Sequence, residues 1–153
     1  MILKKQTKLG VVAIESDGVC ITRLSIEGES DLQSPEGETC PAIDRAFEEL
    51  ELYLDGKLKE FTVLLKPEGT AFMKKVWSRL LKIPYGKTAT YKEIAIDCGN
   101  SKAVRAVGLA NNKNPIPIFI PCHRVIGSGG RIAGYSGGAK NKILLLKIEG
   151  AIR

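Results

Sequence analysis

The chain has 153 residues, room for one ordinary domain or two small ones, and its 44% apolar and 26% charged residues exclude a disordered or fibrous polymer. No apolar run approaches the roughly 20 residues that cross a bilayer, and Met1-Ile2-Leu3-Lys4-Lys5 lacks the apolar core of a signal peptide. The expectation is therefore a cytoplasmic protein (nuclear in a eukaryote), not secreted and with no membrane partner, whose net charge of +6 suits nucleic acid and ordinary enzymes alike.

Residues 9–26 predict a β-hairpin, with an apolar run from Leu9 to Ile14, a turn signal at Asp17-Gly18 and a return strand from Val19 to Ile26. In the return strand the apolar phase slips from Val19 and Ile21 to Leu24 and Ile26, which a bulge near Thr22-Arg23 accounts for. Residues 27–40 read as a loop. Pro41 opens a helix whose Ile43, Phe47, Leu50 and Leu54 share one stripe and which ends near Gly56. Phe61, Val63 and Leu65 alternate and predict a third strand. The order β-β-α-β closes at Lys66-Pro67-Glu68-Gly69, a linker, so an N-terminal α/β domain over 1–66 and a second domain over 70–153 are expected.

Past the linker the periodicity becomes helical. Phe72, Val76, Trp77, Leu80 and Leu81 form one face, ended by Pro84-Tyr85-Gly86. Thr90 and Glu93 have capping-box spacing for a short helix through Asp97, with Gly99 in its C-terminal turn. Ser101 is placed to cap a second helix carrying Ala103, Val104, Val107 and Ala110. Helix, glycine-containing turn and helix is the spacing of a helix-turn-helix, although it is also a common packing unit. Residues 1–69 hold 8 Lys and Arg against 14 Asp and Glu, whereas residues 70–153 hold 15 against 3, so net charges of −6 and +12 lie side by side. A folded basic surface facing phosphates explains the second value, as does a basic face docked on an acidic partner.

Cys20, Cys40, Cys98 and Cys122 never form a close pair, and His123 is the only histidine. Disulfides and structural zinc are disfavoured by that inventory, zinc from all four cysteines being the remaining metal alternative. Reduced thiols, mostly small buried hydrophobes, are the expectation. The Gly86-Lys87-Thr88 tripeptide is not a phosphate loop, because Leu81 stands at the first glycine position of that motif. Cys122 differs from the other cysteines, since the apolar segment Ile116-Pro117-Ile118-Phe119-Ile120 delivers it next to His123 and Arg124, whose side chains favour a thiolate. A core thiol beside an unrelated histidine is the alternative for such a dipeptide.

The longer pattern decides between them. Pro84-Tyr85-Gly86, Thr90-Tyr91, Arg105-Ala106-Val107-Gly108, Asn114-Pro115, Pro121-Cys122-His123-Arg124-Val125, Gly134-Tyr135-Ser136-Gly137-Gly138 and the run from Leu144 to Gly150 occur in that order over about 65 residues. In these motifs the sequence resembles the O6-alkylguanine-DNA alkyltransferases, a family that moves an alkyl group from guanine O6, and in part thymine O4, onto its own cysteine in a single turnover. The resemblance implies an α+β fold: a small N-terminal antiparallel sheet with a helix, ribonuclease-H-like, then a mainly helical domain with a helix-turn-helix. It implies Cys122 as nucleophile, His123 as its base through a water, Glu149 as the carboxylate holding His123, and Tyr91 as the proton donor to the leaving guanine. Asn114 matches a hinge that ties the helix-turn-helix to the cysteine loop. Arg105 matches an arginine that fills the stack when the base is flipped out through the minor groove. Tyr135, Ser136 and Gly137 match a loop that closes over the base, while the carbonyls of Cys122 and Val125 match acceptors for the guanine amino group. Asn100, Lys92 and Ser128 are weaker candidates for phosphate contact. The partner implied is double-stranded DNA containing O6-alkylguanine, bound by a monomer without metal or organic cofactor.

Overall fold

Alternating β-branched and aliphatic residues at the start of the chain build a four-stranded sheet in the computed structural model, which describes residues 1–30, 32–132, 135 and 138–153. Its strands are β1 (Ile2–Thr7), β2 (Gly10–Ser16), β3 (Ile21–Gly28) and β4 (Glu36–Gly37), ordered β3-β2-β1-β4 and antiparallel throughout. The predicted hairpin is β2-β3, with its bulge in place: Glu15 pairs with Arg23 and Ser16 with Ile21, so Thr22 is the extra residue. Asp17 Oδ1 accepts from the N–H groups of Val19 and Cys20, so the turn is closed by its own side chain. Val19 belongs to this turn rather than to the strand and is 68% exposed.

Two further differences concern the sheet. Strand β1 was hidden by its polar Lys4-Lys5-Gln6; the Lys5 ammonium lies over the Phe47 ring, with Nζ 5.2 Å from its centre. Within the expected loop, β4 pairs Gly37 with Leu3, and a side chain on Gly37 (φ 115°) would meet the Ile2 carbonyl oxygen at 2.2 Å. The expected third strand is a single parallel bridge, Ile21 to Leu65. The neighbouring segment is drawn to the helix instead, because the buried Glu49 carboxylate accepts from both the N–H (2.7 Å) and the hydroxyl of Thr62. The observed order is thus β-β-β-β-α.

Helix α1 (Pro41–Leu54) starts at Pro41 and packs Ile43, Phe47 and Leu50, each at most 1% exposed, against β2 and β3, where Val12, Ile14 and Ile21 are fully buried. Each such side chain contributes about 1.5–3 kcal/mol on burial. These elements make one compact unit, Met1–Glu68.

The second compact unit, Gly69–Arg153, is mainly helical. It contains α2 (Ala71–Leu80), β5 (Ala89–Thr90), α3 (Tyr91–Asp97), α4 (Val104–Asn112), a 3₁₀ turn at Cys122–Arg124, β6 (Val125–Ile126), a second at Ser128–Gly130, and α5 (Ala139–Ile148). Thr70 and Thr90 cap α2 and α3 through the N–H groups of Met73 and Glu93. Leu81 lies beyond the end of α2 and is 52% exposed, not on its buried face. α3 and α4 pack together as the expected helix-turn-helix, with Gly99 at φ 92° in the turn. Ser101 does not cap α4, which starts three residues later; Asn100 organises the turn, its Oδ1 accepting from Lys102 N–H at 2.9 Å. Trp77 Nε1 donates to the Ala110 carbonyl at 2.8 Å, tying α2 to α4. Among the described residues no helix is long and apolar enough to cross a membrane.

Candidate active site

The apolar segment after α4 folds inward because every residue from Ile116 to Ile120 is buried. Asn114 organises it, accepting from Ile116 N–H (3.0 Å) and donating to the Ile120 carbonyl (2.8 Å). Ile118 has φ 76°, the one non-glycine residue in the left-handed region among those described, a conformation costing on the order of 1–3 kcal/mol. That strain sits at the thiol: the N–H groups of Ile118 and Cys122, the Asn114 amide and the Lys142 ammonium all favour charge on the Cys122 sulfur. Burial outweighs them and pushes the thiol up to about 11, so it is protonated at neutral pH.

His123, fully buried, directs Nε2 at Glu149 Oε2, 2.7 Å away. Burial holds this imidazole below its ordinary range although Glu149 pulls the other way, so it is neutral at pH 7. Glu149 follows α5 with its side chain turned inward, only 6% exposed. It also accepts from Arg124 Nε (2.9 Å) and Nη2 (3.0 Å) and from Gly86 N–H (3.2 Å). Gly86 has φ 79°, and a Cβ there would press on the Glu149 carbonyl oxygen at 3.1 Å. Arg124 Nη1 donates to the Ile83 carbonyl (2.7 Å), so this guanidinium is consumed by the network. Lys142 is fully buried and donates to the Val125 carbonyl (2.6 Å). Pairing of β5 with β6 in parallel sets the start of α3 beside the cysteine loop. Burial raises both the Tyr91 and Tyr135 phenols, in the direction a Cys122 thiolate also pushes them, so both stay protonated. Among the described residues no group of three or more His, Cys, Asp and Glu could hold a metal ion.

Residues 71–151 match the family model described as 6-O-methylguanine DNA methyltransferase, DNA binding domain. The chain belongs to this methyltransferase family. The methylated-DNA–protein-cysteine methyltransferase of Methanosarcina acetivorans is 58% identical over 106 residues, which cover 69% of this chain and 68% of that one. The constitutive enzyme of that name from Bacillus subtilis is 41% identical over 151 residues, covering 94% and 92%. The crystal structure of Mycobacterium tuberculosis OGT in complex with DNA superposes with a TM-score of 0.87 at 41% identity, over 97% of this chain and 91% of that one.

Within this methyltransferase fold, Asn114, Tyr91 and Tyr135 interact with the Cys122 sulfur, the adjoining His123 pairs with Glu149, and the Val125 carbonyl holds Lys142. Arg105, Lys92, Asn100 and Ser128 lie apart on the surface. Ser136 and Gly137 fall outside the described residues. Arg124 does not act on the thiol as its sequence position suggested, since Glu149 takes its charge; the cation that reaches Cys122 is Lys142. Sequence reasoning missed Lys142, although its signal was present: it stands three and four residues before Leu145 and Leu146, inside the buried stripe of α5. Asn111 was missed as well; it is 1% exposed and donates to the Cys122 carbonyl at 3.3 Å.

Proposed function

We propose that this chain repairs DNA by transferring an alkyl group, methyl above all, from guanine O6 to Cys122, acting on double-stranded DNA as a monomer in the cytoplasm. The observation that carries this reading is the buried His123–Glu149 pair next to a buried thiol. A neutral imidazole with Nε2 engaged by a carboxylate accepts the thiol proton at Nδ1 through one water. The sulfur lone pair forms the C–S bond as the C–O6 bond breaks, and its electron pair leaves on guanine. Tyr91, protonated because burial raises its phenol, supplies the leaving base with a proton and recovers one from His123. In sum the thiol proton ends on guanine and the thioether remains on the protein, so each chain reacts once.

The outer face of α4 suits DNA. Arg105 and Ala106 are exposed, Leu109 is 57% exposed, and a Cβ on Gly108 would meet nothing within 4 Å. Gly108 is therefore not small for helix packing, and a smooth strip beside Arg105 fits a narrow groove. In this reading Arg105 fills the stack behind a base flipped through the minor groove, and Tyr135, Ser136 and Gly137 close over it. Lys92, Asn100 and Ser128 contact phosphates, residues 70–153 form the reacting domain, and residues 1–66 are its companion. The test is incubation with an O6-benzylguanine fluorophore followed by intact mass. One adduct per chain, on Cys122 and lost in Cys122→Ala, is expected; DNA binding without any adduct refutes the reading.

A further inference from the structure

His123 and Arg124 follow one another on the 3₁₀ turn Cys122–Arg124, yet both side chains close on a single carboxylate. His123 Nε2 meets Glu149 Oε2 at 2.7 Å, while Arg124 donates from Nε to Oε1 (2.9 Å) and from Nη2 to Oε2 (3.0 Å). All three residues are buried. A buried carboxylate beside a neutral imidazole carries an unbalanced negative charge, and proton uptake by the imidazole is the ordinary remedy, since it creates an ion pair. That remedy would remove the base, because both nitrogens of an imidazolium are donors and neither can accept the thiol proton. Arg124 balances the carboxylate in another way. Its fork is bidentate on Glu149, and a guanidinium keeps its proton at any working pH. Among the described residues the charged groups that face the imidazole are Glu149, Arg124 and Lys142, and the Lys142 ammonium is held by the Val125 carbonyl at 2.6 Å instead of by Glu149. The remaining neighbours are neutral: Gly86 N–H donates to Glu149 Oε1, the Tyr85 ring lies over the Arg124 guanidinium at 5.8 Å, and the Cys122 thiol is protonated.

We infer that Arg124 is a positioning residue that neutralises Glu149 in place, so that the carboxylate orients His123 without charging it and the imidazole rests as a base. The inference deepens the alkyl-transfer reading above and rests on it. Because the two hydrogen bonds share Oε2, Arg124 Nη2 lies within roughly 6 Å of His123 Nε2, where at an effective dielectric constant of about 20 a unit charge alters proton affinity about a hundredfold. The sign is fixed by the geometry. Without the guanidinium, the cation that repels an imidazolium is gone and Glu149 attracts that imidazolium unopposed, so His123 takes up its proton at higher pH.

His123 is the only histidine of the chain, so one imidazole Cε1–H signal in a proton–carbon NMR spectrum of the full chain reports its charge. Its titration is followed in the wild type, Arg124→Met, Arg124→Gln and Arg124→Lys, with the fluorescence of the buried Trp77 showing at each pH that the unit is folded. The midpoint is expected to rise by at least about one pH unit, a tenfold gain in proton affinity, in the Met and Gln variants, and to stay within about half a unit of the wild type in the Lys variant, which keeps the charge. Should the wild type unfold before its imidazole charges, the unfolding pH is the upper bound on its midpoint. A purely structural arginine lowers stability without moving the midpoint of the folded molecules; that result, or a midpoint raised as far in Arg124→Lys as in Arg124→Met, overturns the inference. Arg124→Gln, whose amide still donates to Glu149, decides should Arg124→Met fail to fold. Absence of wild-type benzylation by O6-benzylguanine, read separately by intact mass, instead overturns the alkyl-transfer reading, so the two failures are distinct.

Discussion

Glu149→Gln removes one charge from the buried network at nearly constant volume. The carboxylate accepts from His123, from two nitrogens of Arg124 and from Gly86 N–H. An amide keeps a single acceptor oxygen and turns an NH₂ group toward a donor, so Arg124, 7% exposed, is left with the Ile83 carbonyl and the face of Tyr85. Removing one partner of a buried ion pair costs about 3–5 kcal/mol, and the retained amide oxygen puts the loss here near the lower end, about 3 kcal/mol. Trp77 is the only tryptophan of the chain, is 1% exposed and lies in the same unit, so its fluorescence during a urea titration reports this unit's unfolding. The expected result is a lower midpoint at an unchanged slope. Adding Arg124→Met removes the stranded cation and should restore at least half of the loss. A Glu149→Gln shift worth less than about 0.5 kcal/mol, or a double variant no more stable than the single one, refutes the view that this carboxylate is the counter-ion of the site.

Arg105→Ala should slow alkyl transfer from duplex DNA by at least about tenfold more than transfer from free O6-benzylguanine, since only the duplex requires flipping; equal losses in the two rate measurements contradict that role. Lys142→Met removes the cation that favours charge on Cys122, so the pH profile of benzylation should move to higher pH, with neutral-pH rates down by about tenfold per unit of displacement; an unmoved profile counts against it. The Cys122 pKa rises from 9.0 to about 11 on folding, so its contribution to stability is complete below pH 9 and disappears as the pH climbs through 11. That amounts to about 3 kcal/mol, and Trp77-monitored unfolding at pH 8 and pH 11 should show a shallower alkaline decline in Cys122→Ala than in the wild type.

The sequence was most legible where local chemistry and tertiary structure agree. The phase slip at Thr22, the Asp17 turn, the Pro41 start and the Thr90 cap all describe interactions within a few residues, and each is present. The motif around Cys122 identified the gathered side chains because their spacing in the chain is dictated by the site. Legibility failed where a distant partner overrides the local signal. Phe61, Val63 and Leu65 alternate like a strand, yet Glu49 on α1 captures Thr62 and denies the segment a ladder. Lys5 and Lys142 look solvated in sequence, although one ammonium lies over the Phe47 ring and the other is held by the Val125 carbonyl. Arg124 adjoins Cys122 in sequence, whereas its fork faces Glu149, which no separation along the chain could reveal.

The burial of the Cys122 sulfur bears on how long the protein remains usable. A chain that reacts once is a reagent rather than a recycling enzyme, and oxidation of its sulfur to the sulfinic or sulfonic acid before it meets a lesion is a permanent loss of capacity. It is the thiolate that attacks peroxide and disulfides. A pKa raised from 9.0 to about 11 cuts the thiolate population about a hundredfold, at a residue that is itself 1% exposed. The same burial that makes the nucleophile depend on His123 for activation thereby keeps it in working order during storage.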